Sequence, residues 1–141
     1  MFGILVCIAA GAAMSIQGVM NTRLGEGIGT SEANAFVQVT AALLAAAVLI
    51  FHRDGSFSAL SGTPWYYALG GVLGLVITLT VMLGMHSLTP ATAVSIILVS
   101  QLLTAGAIDM FGLMGTERVP LTWTRAIGAA LMIGGVIIFK R

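Results

Sequence analysis

The sequence predicts an all-α, polytopic membrane protein with five transmembrane helices. Composition is the first reason: 58% of the 141 residues are apolar, 8% are charged, and mean hydropathy is +1.06. A soluble domain of this size needs far more charge to cover its surface, so the apolar excess must face lipid. Run length is the second reason. A span takes roughly 20 apolar residues, and the chain has room for about five. Pattern is the third. Backbone groups in lipid must be hydrogen-bonded internally, which leaves helices or a closed barrel. A barrel would alternate apolar and polar residues in segments of roughly 10, whereas the apolar runs here are continuous.

The whole chain reads as one transmembrane domain, residues 1–141, with helices at about 2–20, 31–51, 64–86, 90–110 and 120–139. Residues 1–6 carry no Lys or Arg. A cleaved signal needs a basic start, so the first run is expected to be a permanent span. Its second half is rich in small residues, and Gly11 and Ser15 are four apart, a spacing that admits a neighbouring helix. Gln17 and Asn21 share one face of the same helix. Residues Asn21 to Gly29 read as the first loop, broken by glycines.

Thr30-Ser31-Glu32 carries an N-cap signature for the second span, which places Gln38 and Thr40 inside it. The third begins at Pro64, suited to a first helical position. The aromatic belt Trp65, Tyr66 and Tyr67 follows, and then a flat glycine face through Gly70 and Gly74. The link Ser87-Leu88-Thr89 is short, so spans three and four should be antiparallel neighbours. Span four runs from Pro90, places Gln101 mid-span and reaches Asp109 near its end. Span five starts at Pro120 with Trp123 at the interface and holds Gly128 as a packing residue.

Composition and motif content narrow the function. A net charge of +1 does not suggest nucleic acid binding, and the single Cys7 allows no internal disulfide. No nucleophile–base pair, metal-ligand spacing or phosphate loop is present, so no enzyme activity, cofactor or metal is expected. Lys and Arg normally mark the cytoplasmic side. Here Arg23, Lys140 and Arg141 on one side balance Arg53, Arg118 and Arg125 on the other. That balance allows dual insertion and an antiparallel homodimer, which recreates the inverted repeat of many transporters.

The segment Gln17-Gly18-Val19-Met20-Asn21-Thr22-Arg23-Leu24-Gly25 resembles the opening motif of the YdcZ family. These are small five-helix members of the drug/metabolite transporter superfamily. Ser100 to Gly112, with Gln101 and Asp109, resembles the family's second motif, and Pro120-Leu121 with Arg125, Gly128 and Gly134-Gly135-Val136 its last helix. Met110 departs from the pattern, standing where a histidine is expected, so an Asp-His proton pair does not carry over. The resemblance implies a bacterial inner (plasma) membrane transporter or exporter of small metabolites or drugs. It also implies a fold like half of a ten-helix transporter, completed by a partner chain.

The expected substrate cavity comprises Gln17, Asn21, Gln38, Trp65, Gln101 and Asp109. Amides mid-span must find partners inside the protein, which makes them functional candidates; the competing reading is interhelical glue. Gln101 and Asp109, eight residues apart, lie about 80° apart around one helix and can border one cavity. Asp109 serves as a proton or cation site, pairs with Arg125 or Arg118, or sits at the water interface. Glu32 reads as a dipole partner at its helix start, and Trp65 as a membrane anchor or a platform for a cationic substrate. Small multidrug transporters of similar size carry a glutamate in helix one; span one here has no acid. A non-transporting subunit of a larger complex and a passive channel are the rival functions.

Overall fold

A computed structural model describes residues 1–139; Lys140 and Arg141, which enter the charge balance, lie outside the described residues. The described residues form α1 (Phe2–Ile28), α2 (Thr30–Phe51), α3 (Gly70–Ser87), α4 (Pro90–Phe111) and α5 (Trp123–Phe139), with short 3-10 segments between them and no strand. Four helical stretches are long and apolar enough to cross a membrane: Phe2–Ile28, Thr30–Phe51, Trp65–Ser87 and Pro90–Phe111. At 17 residues, α5 rises about 25 Å, the lower end of what a span requires. The protein is therefore a small polytopic membrane protein.

Several boundaries move from their sequence-based positions. The first loop was expected at Asn21–Gly29, but α1 continues to Ile28 and only Gly29 separates it from α2. Helical glycines cost about 1 kcal/mol each, and here Gly25 is repaid by packing. At 27 residues, α1 is about 40 Å long, more than the roughly 30 Å hydrocarbon core. Its last turns can thus stand in the headgroup layer, where Arg23 Nη1 meets Glu26 Oε2 at 2.8 Å. Gly29 makes the reversal at φ +99°, a conformation that costs glycine little and other residues much. The Thr30-Ser31 side-chain cap is not formed; Gly29 occupies the N-cap position, with Glu32 in the first turn of α2. Pro64 precedes a 3-10 turn, Trp65–Leu69, that leads into α3, so α3 proper starts later than expected. So does α5, at Trp123 rather than Pro120.

The chain divides into two compact units, Met1–Ser87 and Leu88–Arg141. In the first, α1, α2 and α3 pack against one another. Burial is confined to the second half of α1, the first half of α2 and the second half of α3: Gly18, Asn21 and Thr22, then Ala33 and Asn34, then Met82 and Met85. The opposite halves of these helices are exposed.

The contact that sets this arrangement is a pair of glycine seats. A Cβ built on Gly18 would lie 2.6 Å from Met85 Cε and 3.3 Å from Val81 Cγ1. One built on Gly25 would lie 2.7 Å from Met82 Cε and 3.4 Å from the Thr30 Cα. Without a hydrophobic drive between helices in lipid, such close van der Waals contact is what holds them. The glycines expected to pack differ from these seats among the described residues. A Cβ on Gly11, Gly70, Gly74 or Gly128 meets nothing within 4 Å, and Ser15 donates to the Gly11 carbonyl of its own helix at 3.1 Å. Gly11, Gly70 and Gly74 fall in the halves of α1 and α3 away from the buried residues.

In the second unit α5 packs on α4. Thr89 caps α4, accepting from the Thr92 N–H, and Pro90 opens it. Gly112, at φ +63°, ends it in the left-handed conformation.

Overpacking the seats should destabilise the bundle. Gly18→Leu is expected to cost about 1–3 kcal/mol, read as a lower unfolding temperature in detergent. Gly11→Leu, in open space, should leave that temperature unchanged. Equal effects at the two sites would refute the assignment.

Candidate functional site

Polar side chains collect at the convergent end of the first unit. On α1, Gly18, Asn21, Thr22 and Gly25 fall within an arc of about 100°, so α3, seated on the two glycines, covers the face that holds Asn21. On α2, Thr30, Ala33, Asn34, Val37 and Gln38 follow the three-and-four spacing of one helical face, and all are buried or half-buried. Among the described residues, the buried polar ones are Asn21 at 8% exposure, Thr22 at 8% and Asn34 at 3%. All three are neutral.

These groups differ in how they are satisfied. Thr22 Oγ1 donates to the Gly18 carbonyl at 2.8 Å, and Thr40 donates likewise to Phe36. Hydroxyls can return to their own backbone in this way. Asn34 Oδ1 is fully buried and has no hydrogen-bond partner. Leaving such an acceptor unpaired costs about 1–3 kcal/mol. Gln38 lies one turn further along the same face and is half-buried.

The expected cavity residues are distributed as follows. Asn21 is buried and Gln38 half-buried, on helices that pack together. Gln17 is exposed on α1. Trp65 is 76% exposed, edge-to-face with Tyr66 at 6.3 Å between ring centroids. Gln101 is exposed on α4. Asn34 was not among the expected residues. The signal that could have found it is its place four residues before Gln38, at the start of an apolar helix.

Asp109 belongs to a second cluster, at the end of α4. Arg125 Nη1, in the first turn of α5, lies 3.6 Å from Asp109 Oδ2, and the two side chains are 49% and 43% exposed. The Asp109 carbonyl accepts the Val119 N–H at 2.9 Å, and Arg118 Nε donates to the Met110 carbonyl at 3.1 Å. Of the two partners expected for Asp109, Arg125 holds the carboxylate and Arg118 holds the backbone. An open groove of ≈ 290 Å³ at the start of α5 is lined by Leu121, Thr122, Trp123 and Ala126. With one hydroxyl and no charge, it offers little to recognise a polar ligand.

Because the Asp109–Arg125 pair is half exposed and long, its removal should be mild. Asp109→Asn is expected to cost less than about 1 kcal/mol in stability, measured by denaturant unfolding in detergent. A loss of several kcal/mol would mean that the pair is buried in the working state.

Comparison with known proteins gives one family. Residues 2–138 match the family model described as "Putative inner membrane exporter, YdcZ". No curated protein and no solved structure matches the chain.

Proposed function

This chain belongs to the YdcZ family, and we propose that it exports small molecules across the inner membrane by alternating access as an antiparallel homodimer. The observation that carries the reading is the convergent end of α1, α2 and α3. There, neutral polar side chains are buried in a bundle whose composition otherwise suits lipid. Intramembrane polar groups are expensive and mark substrate paths by default.

The balance of Arg23, Lys140 and Arg141 against Arg53, Arg118 and Arg125 supports insertion in both orientations. Two opposed copies then make the inverted pair on which alternating access depends. The open glycine faces at Gly11, Gly70, Gly74 and Gly128 give a second copy room to approach and slide. The substrate path would run between the copies, lined by Gln17, Asn21, Gln38, Trp65 and Gln101, with Asp109 near its edge. The chain as a whole would act as one transmembrane domain, with α5 as a peripheral support. Transport by this route needs no chemical step on the substrate.

Reconstituted alone in liposomes, the chain is expected to give saturable, substrate-selective flux. Current without saturation would indicate a channel, and silence without another protein a subunit of a larger complex. Gln101→Ala and Asp109→Asn should each lower the flux; if both leave it intact, the path has been misplaced. Reporters fused to the C-terminus should be found on both sides of the membrane, and a single side would end the antiparallel reading.

A further inference from the structure

We propose that Asn34, with Gln38 on the same face of α2 and Asn21 on the facing helix α1, forms an occluded subsite for a neutral, hydroxyl-bearing small molecule. The inference rests on the exporter reading and adds the substrate class and the residues that select it.

Three observations lead to it. Asn34 is 3% exposed, yet its Oδ1 has no donor. The buried Thr22 hydroxyl, by contrast, is satisfied within its own helix by the Gly18 carbonyl. The buried acceptor therefore awaits a donor from outside the described side chains, at a cost the folded protein carries until one arrives. Secondly, every buried polar side chain among the described residues is neutral. Burying a charge without a countercharge is prohibitive, so this face suits an uncharged ligand rather than a lipophilic cation. Amides both donate and accept, and a hydroxyl does the same, so hydroxyls match the Asn34, Gln38 and Asn21 amides in kind.

Thirdly, the cover over this face can move. Met85 and Met82 rest on Gly18 and Gly25, flanking Asn21 on α1. Methionine is unbranched and repacks at low cost. Movement of these two side chains would uncover the face of α1 that holds Asn21 without breaking a hydrogen bond of their own.

The test uses the full chain in liposomes of bacterial polar lipid, with radiolabelled xylitol as the neutral probe and tetraphenylphosphonium as the cationic one. Wild type is expected to carry xylitol saturably, without competition from tetraphenylphosphonium. Asn34→Leu and Gln38→Leu should each lower xylitol flux by about tenfold, the loss of one buried hydrogen bond to the ligand. The unfolding temperature of empty Asn34→Leu should equal or exceed that of wild type, because an unpaired acceptor has been replaced by an apolar group of similar size. A marked fall would make Asn34 structural and overturn the proposal. So would full xylitol flux in both variants, or wild-type flux of tetraphenylphosphonium but not xylitol, which would leave the exporter reading standing. Flux of neither probe would count against the exporter reading itself.

Discussion

Close approach of α1 and α3 at Gly18 and Gly25 governs the packing of the first three helices. In lipid, apolar surface gains little by leaving one apolar environment for another, so helices associate where atoms can come closest. The two glycines are seven residues apart and share a face. Each leaves a shallow seat that a methionine of α3 fills. The second seat also brings Thr30 against α1, so one contact fixes both the helix reversal at Gly29 and the position of α3.

This geometry decides which polar groups are hidden. Seating α3 on α1 covers the arc that contains Asn21 and Thr22, and the reversal turns Ala33 and Asn34 inward. The threonine satisfies itself against its own helix, which a hydroxyl one bond from Cβ can do. An asparagine amide with an unpaired oxygen has no such local remedy here. The same packing that makes the bundle compact at this end thereby leaves a buried group whose hydrogen bond must come from elsewhere.

Much of this was legible in the sequence. Apolar run length located all five helices, and of the alternatives open for Asp109 the pairing with Arg125 is the one present in the fold. The rest depended on tertiary context. Gly25 reads as a helix breaker because its local cost is visible and the packing that offsets it is not. The four-residue spacing of small residues pointed to Gly11 with Ser15 and to Gly70 with Gly74, whereas the seats in use are a heptad apart. Asn34 carried no signal of its own in the sequence, lying just after the Thr30-Ser31-Glu32 helix start. Only the arrival of α1 and α3 makes it interior.

The second unit handles polarity in the opposite way. Its charged pair, Asp109 and Arg125, stays half exposed at the end of α4, where water can offset a desolvation cost that the hydrocarbon would not. The backbone there is strained, with Met114 at φ 56°, a left-handed conformation that costs a side-chain-bearing residue roughly 1 kcal/mol. The returning chain offsets this by closing Val119 N–H on the Asp109 carbonyl and Arg118 on Met110. In the second unit a half-exposed charged pair thus fastens the end of α4 to the start of α5, whereas the buried polar side chains of the first unit are neutral.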